Sequence, residues 1–232
     1  MLTAPQFSSD GLAAVRNRIA AAVRRAGREP DSVSLLAVSK QQPEAAVRTL
    51  AQAGQAAFGE NYVQEAVAKI AALRDLPLAW HFIGQLQANK TREVAEHFHW
   101  VHTVDRLRIA ERLSAQRPHY APPLEVLLQV KLSDEATTGV VASEALPALA
   151  TAVAALPRLR LRGLMCIPPD TRSEDEQRRP FRQLRELLAT LNAGGHRLDT
   201  LSMGMSNDLE AAILEGATIV RVGTAVFGPR HG

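Results

Sequence analysis

The chain has 232 residues, 46% hydrophobic and 22% charged, which suits a globular protein with a full apolar core and excludes a disordered or low-complexity chain. A formal net charge of +3 and only 4% aromatics leave no focused basic patch interleaved with rings, so no nucleic-acid partner is expected. The single cysteine, Cys166, permits no internal disulfide, MLTAPQFSSDG has no signal-peptide pattern, and the longest apolar stretch is broken by Glu144 and Pro147, so a cytoplasmic protein with no membrane span is expected.

In chain order, residues 8–27 begin with SSD and end at Gly27, with Leu12, Val15, Ile19 and Val23 at steps of three and four. That spacing predicts an amphipathic helix capped at both ends. Short apolar runs then alternate with helical patterns. The runs read as strands are 34–40, 56–61, 79–85, 100–105, 124–131, 159–167, 200–205 and 218–228. The intervening helices are expected to start near Pro43, Tyr62, Asn89, Arg106, Ser143, Glu174 and Asn207. Strands alternating with helices imply a parallel sheet, and eight such units imply an α/β protein built as one closed (β/α)8 barrel of the TIM type, with an extra amino-terminal helix. The competing architecture is an open doubly wound sheet. Its dinucleotide-binding version is disfavoured because no Gly-x-Gly-x-x-Gly follows any strand. No domain boundary is evident, so 1–232 reads as one domain. The arginine-rich stretches RRAGRE and EDEQRRPFRQLRE read as solvated helix faces.

In a (β/α)8 barrel the functional groups sit at the carboxyl ends of the strands. The first such group is Lys40, at the end of LLAVSK. Only four lysines stand against 23 arginines in this chain, and an ammonium is costly to bury beside an apolar run. A snorkelling lysine is the ordinary explanation. A desolvated lysine, however, is a usable amine nucleophile whose natural partner is a carbonyl. Next, GMSND at 204–208 joins a strand end to a helix start. Its serine, Ser206, adds a hydroxyl to the helix N–H groups, which makes either an ordinary cap or a phosphate seat. In RVGTAVFG, Arg221 and Gly223 share a strand face. Gly223 lets a ligand approach the backbone, Thr224 can donate to it, and Arg221 points into the barrel, toward a ligand or into an internal salt bridge. Loops after strands seven and eight commonly form a phosphate site. An amine at one end and a phosphate seat at the other suit a ligand with an aldehyde and a phosphate, and pyridoxal 5′-phosphate has both.

The motifs AVSK, FGENYVQE, WHFIGQLQANK, HTVDR, RLRGLMCI, LSMGMSNDLEAAI and RVGTAVFG, in this order over residues 10–228, closely resemble the YggS/PROSC family of pyridoxal-phosphate homeostasis proteins. The resemblance implies a single barrel like the amino-terminal domain of alanine racemase. It also implies a cofactor-regulating role without catalysis, with apoenzymes that use the cofactor as candidate recipients. It implies a Schiff base on Lys40, Asn61 beside the cofactor, Ser206, Gly223 and Thr224 on the phosphate, and Arg221 facing the pyridine nitrogen. One departure is that SDEATTG has Thr138 before Gly139 where the family usually has a lysine. This puts a secondary cofactor-handling lysine there in doubt, although Lys90 and Lys131 remain elsewhere.

A cationic Arg221 disfavours protonation of the pyridine nitrogen and weakens the ring as an electron sink. That suits a holder of the cofactor or a racemase with two strong bases. The racemase alternative needs a second base opposite the lysine, which in the related racemases is a tyrosine from an additional domain. Only PRHG follows strand eight, and Tyr62 and Tyr120 are the only tyrosines, so a racemase is not expected. A third class is an interaction protein whose cofactor is structural or regulatory. His81, His97, His99 and His102 straddle a helix end and a strand without a completing cysteine or carboxylate, and read as structural rather than metal-binding. Cys166 reads as a small buried hydrophobe, Asp105 as a helix cap, and the chain as a monomer.

Overall fold

The structure is a computed structural model that describes residues 8–132, 141–169, 171 and 173–228. The strands are β1 (Ser34–Val38), β2 (Ala57–Glu60), β3 (Ala79–Phe82), β4 (Trp100–Val104), β5 (Leu124–Gln129), β6 (Leu159–Met165), β7 (Thr200–Ser202) and β8 (Ile219–Val222). They close into one parallel barrel in sequence order, with β1 pairing to β8 through Ser34↔Ile219, Leu36↔Arg221 and Ala37↔Val222. The expected TIM-type α/β barrel is therefore the observed architecture. No helix among the described residues is long and apolar enough to cross a membrane.

The helices are α1 (Asp10–Arg25), α2 (Glu44–Gln52), α3 (Val63–Ala72), α4 (Thr91–His97), α5 (Leu107–Gln116), α6 (Leu146–Ala154), α7 (Glu174–Ala193), α8 (Leu209–Leu214) and α9 (Thr224–Phe227). The main core fills the space between strands and helices. Val47 and Leu50 of α2, Ile109 and Leu113 of α5, and Phe181 and Leu184 of α7 are fully buried there. Each pair lies three or four residues apart, as the inward stripe of an amphipathic helix requires. Inside the barrel, Leu36, Ile83 and Ile219 form a small separate apolar cluster.

α1 buries Leu12, Val15, Ile19 and Val23 as the spacing predicts. It ends at Gly27, whose φ of +63° is the left-handed turn that glycine adopts without penalty. At its start Ser9 makes no side-chain cap, and Ser8 Oγ accepts from the Asp10 N–H instead. α1 packs on α8 and α9, and approaches α9 so closely that a Cβ at Gly11 would overlap the Val226 carbonyl oxygen.

Several expectations are corrected. Strand eight does not run to residue 228: it stops at Val222, and TAVF forms α9. The strands generally end one to three residues earlier than the apolar runs suggest, because the loops after them also turn apolar side chains inward. Asp105 pairs with Arg106 rather than capping α5, whose N-cap, Arg106, has no side-chain cap bond. The arginines of EDEQRRPFRQLRE do not all lie on a solvated face. Arg178, Arg182 and Arg185, one helical turn apart, converge on the buried carboxylate of Glu215 at 2.7, 3.1 and 2.7 Å. In RRAGRE, Arg28 turns inward to donate to the Ile213, Ala217 and Ser32 carbonyls.

The register between β5 and β6 shifts by one residue between Val126 and Leu127, so Gly163 follows Leu161 as the next partner and Arg162 bulges outward. A Cβ at Gly163 would overlap the Thr200 carbonyl oxygen of β7. We expect Gly163→Ala to lower the unfolding free energy by about 1–3 kcal/mol, because strand backbone cannot swing away as a side chain can. Urea denaturation checks this, and an unchanged midpoint would mean that β6 and β7 do not approach this closely.

Candidate functional site

The six residues singled out from the sequence lie at the carboxyl ends of β7, β8, β1 and β2, which are consecutive around the closed barrel. Lys40 is half-buried in the turn two residues beyond the end of β1. Its neighbour Gln41 has φ +59°, a left-handed conformation that is costly for a residue with a side chain. Asn61 follows β2, and its Oδ1 is buried without a hydrogen-bond partner. Gly84 makes room for that residue, since a Cβ there would overlap the Asn61 carbonyl oxygen, and Thr103 Oγ1 fixes the Gly84 carbonyl at 2.6 Å.

The loop after β7 is tied to β8 by one backbone bond, from the Arg221 N–H to the Gly204 carbonyl at 2.9 Å. Gly204 has φ +94°, and a Cβ on it would press against that of Ala212. Ser206 is half-buried and Thr224 exposed just beyond these two strands. Gly223 lies against β1, where an added Cβ would stand 3.3 Å from the Val38 carbonyl oxygen. The sequence suggested a helix starting at Asn207, with its dipole aimed at a ligand. α8 starts instead at Leu209, is only six residues long, and has its N-cap carboxylate, Asp208, accepting from the Met205 N–H at 2.5 Å. The candidate donors left at this rim are the Ser206 and Thr224 hydroxyls and the first N–H groups of α9, whose Val226 and Phe227 N–H groups bond the Gly223 carbonyl.

Arg221 points into the barrel, as alternation predicts, and is buried. It is in no salt bridge among the described residues. Nη1 donates to Ser202 Oγ and Nη2 to the Cys166 carbonyl, both at 2.8 Å. Burial lowers its pKa, yet a guanidinium stays charged at neutral pH. Ser202 Oγ, which accepts from Arg221, also lies 2.9 Å from His102 Nδ1, and His102 Nε2 lies 2.9 Å from His81 Nδ1. These contacts link Arg221, Ser202, His102 and His81 through the barrel interior, and two imidazoles that share one proton across such a contact are both neutral. Burial enforces that state: it pushes His81 down to about 3 and, together with neighbouring His81 and Arg221, holds His102 well below its usual value. His81 also stacks on Trp100 at 5.3 Å. His99 accepts from the Trp80 N–H, and His97 is exposed at the end of α4. Cys166 is buried, and burial pushes its thiol up to about 12, which suits a packing residue.

The sequence reading missed a second layer. Ser202, His102 and the Cys166 carbonyl hold Arg221. Arg18 of α1 donates to the Ser206 carbonyl at 2.9 Å and pairs with Glu210. Ser39, Glu60, Glu65 and Lys69 surround the Lys40 turn. The one signal for these was the Glu65–Lys69 spacing of four, which reads as a common helix-surface pair. The Thr138–Gly139 departure lies outside the described residues, as does PRHG at 229–232. A separate groove of about 660 Å³ lies between α1 and the amino ends of β1 and β2, away from this rim, and two of its arginines, Arg16 and Arg28, are engaged by backbone carbonyls.

These residues fit pyridoxal phosphate. A half-buried amine, a buried amide oxygen without a partner, a glycine pressed against strand backbone and two hydroxyls line one arc, above a buried cation. The neutral histidines also have a measurable consequence. Unfolded His81 takes up a proton near pH 6.5, whereas folded His81 does so only near 3, so the unfolded state binds more protons and stability falls as pH drops below about 6.5. We expect His81→Gln to remove up to about 1.4 kcal/mol per pH unit from the slope of unfolding free energy between pH 6.5 and 5. Urea titrations at several pH values check this, and equal slopes for the two proteins would mean that His81 is charged in the fold.

With the geometry established, comparison with known proteins is informative. Residues 11–231 match the family model "Alanine racemase, N-terminal domain". The chain is 61% identical over 222 residues to the pyridoxal phosphate homeostasis protein of Pseudomonas aeruginosa, covering 96% of this chain and 95% of that protein. PipY of Synechococcus elongatus PCC7942, solved with pyridoxal phosphate bound, superposes with a TM-score of 0.84 at 42% identity, covering 95% of this chain and 99% of that one. Alanine racemase from Corynebacterium glutamicum shares the fold alone, with a TM-score of 0.69 at 17% identity, covering 98% of this chain and 63% of the enzyme. The chain belongs to the family of pyridoxal phosphate homeostasis proteins, built on the alanine racemase amino-terminal barrel.

Proposed function

We propose that this protein binds pyridoxal 5′-phosphate at the rim of β7, β8, β1 and β2, covalently through Lys40, and takes part in intracellular homeostasis of that cofactor by storing, buffering or delivering it, without substantial catalysis. The observation that carries this reading is the convergence of Lys40, Asn61, Ser206, Gly223 and Thr224 on one arc of the rim, with Arg221 beneath. A relative solved with the cofactor bound, and the name borne by relatives at 48–61% identity, support it.

When bound, the cofactor supplies an aldehyde that a primary amine can condense with and a pyridine ring that can accept electron density. Lys40 offers the amine from a turn whose backbone is fixed on both sides. Ser206, Thr224 and the opening N–H groups of α9 receive the phosphate, and Gly223 lets it approach the backbone. Asn61 holds the side of the site next to β2. Arg221 faces the pyridine nitrogen with a permanent charge, and its own partners, Ser202 and the Cys166 carbonyl, are neutral. A cation there opposes protonation of the ring and leaves it a weak electron sink, which favours holding the cofactor over reacting with it.

A racemase would need a second base across the site from Lys40. Tyr62, at the start of α3, is the described tyrosine near this rim, and it is 52% exposed. Tyr120 lies in the loop before β5, at the opposite end of the barrel. Delivery to apoenzymes is supported by the distribution of exposed large apolar side chains: among the described residues, Tyr62, Leu107, Ile167 and Met205 follow carboxyl ends of strands and Tyr120 alone lies at the other end.

The test is an absorbance spectrum of the purified protein with added pyridoxal phosphate, before and after borohydride, beside Lys40→Ala. We expect a band that borohydride traps, with the label on the peptide containing Lys40, and its loss in the variant. Absence of the band in the natural protein, or its persistence in Lys40→Ala, would sink the reading. Sustained conversion of L-alanine to D-alanine by the loaded protein would favour the racemase instead.

A further inference from the structure

Lys69 is one of only four lysines, and it is buried in the third turn of α3 at 7% exposure. An ammonium has three N–H groups, and all three are used. They go to the Ser39 carbonyl at 2.6 Å, to Glu60 Oε1 at 2.8 Å and to Glu65 Oε1 at 2.6 Å. Glu65 Oε1 also accepts from the Gln41 N–H at 2.6 Å, and Ser39 Oγ donates to Glu60 Oε1 at 2.6 Å. The peptide groups on either side of Lys40 are thus gripped by two side chains of α3 that are paired with each other. Immediately after the second grip the backbone turns through the left-handed conformation of Gln41, which persists only where surrounding contacts over-determine it.

The chemistry of the grip explains its residue type. Three acceptors around one point suit the tetrahedral donors of an ammonium, not the planar fork of a guanidinium, so a chain that otherwise prefers arginine has lysine here. Glu60 is completely buried, and its second oxygen has no hydrogen-bond partner. Burial pushes its carboxyl up while Lys69 and Ser39 pull it down, and the net direction is up. Such a carboxylate is costly, and a surface capped only for stability would not need it.

We propose that Lys69, acting with Glu60 and Glu65, is the positioning residue for the cofactor lysine: it fixes the Ser39–Gln41 turn so that Lys40 is presented to the aldehyde of the cofactor, and thereby sets the tightness and exchange rate of the cofactor. This rests on the cofactor reading above and deepens it. Lys69 does not itself touch the ligand.

The experiment compares the natural protein with Lys69→Met and with the double variant Lys69→Met/Glu60→Gln. The double variant removes the buried carboxylate's charge together with its partner, so that the fold does not carry an unpaired ion. Three quantities are read: pyridoxal phosphate affinity by absorbance titration, the site of borohydride labelling, and amide hydrogen exchange of residues 39–42 in cofactor-free protein. We expect the label to remain on Lys40. We expect affinity to fall at least about tenfold, the scale of one lost charge-assisted hydrogen bond. We also expect the 39–42 amides to exchange faster while the strand amides keep their protection. Wild-type affinity in a folded variant, or unchanged exchange in 39–42, would overturn the proposal. Failure of the natural protein itself to label at Lys40 would instead overturn the cofactor reading, and the exchange data would still report whether Lys69 holds the turn.

Discussion

Closure of the barrel by the pairing of β1 with β8 is the constraint on which the rest depends. A parallel sheet left open would expose two edges and place the first and last strands far apart. Closing it makes β7, β8, β1 and β2 neighbours, so groups near residues 40 and 61 meet groups near residues 206 and 223. The fit is close at the seam: a Cβ on Gly223 would stand 3.3 Å from the Val38 carbonyl oxygen, a tight contact with strand backbone. The Arg221 N–H completes the arrangement by tying β8 to the Gly204 turn.

The interior handles charge in two different ways. Under the phosphate seat a guanidinium is held by a serine hydroxyl and a carbonyl, and two imidazoles kept neutral by burial continue the chain of contacts. The two partners of the guanidinium are neutral, and the carboxylate that acts on its charge, Asp208, lies in the loop after β7. Under the Lys40 turn the opposite is done. Lys69 is matched against Glu60 and Glu65, and the result is a local structural joint. Both arrangements are expensive to desolvate, and both lie within one residue layer of the same rim.

The fold was legible because its signals are repetitive. Eight apolar runs with helical patterns between them leave few topologies, and the stripe Leu12, Val15, Ile19, Val23 points inward as its spacing requires. The reading failed where two structures share one composition. TAVF, with a β-branched residue between small and aromatic ones, continues a strand pattern, yet Gly223 breaks the strand and α9 packs back onto α1. The candidate residues of the site stood out because their chemistry is unusual for their surroundings: a lysine after an apolar strand, and glycine with serine or threonine at strand ends, and the closed barrel brings these strand ends side by side. Their supports were not. Glu65 and Lys69 have the spacing of a common exposed pair, and only the docking of α3 against the ends of β1 and β2 makes them a buried joint. Ser202 and His102 are a hundred residues apart, and no local pattern reports that they touch.

α1 has a consequence beyond the area it buries. Its Arg18 holds the Ser206 carbonyl, and its Gly11 lies under the Val226 carbonyl, so the earliest helix braces both loops of a seat encoded near residues 206 and 224. Contacts of such long sequence separation form late, because the loop they close must be ordered first. During synthesis Lys40 therefore emerges long before the groups that complete its surroundings. A nascent chain carries the Lys40 amine before either of these segments exists, so the surroundings of that amine are a property of the finished fold alone.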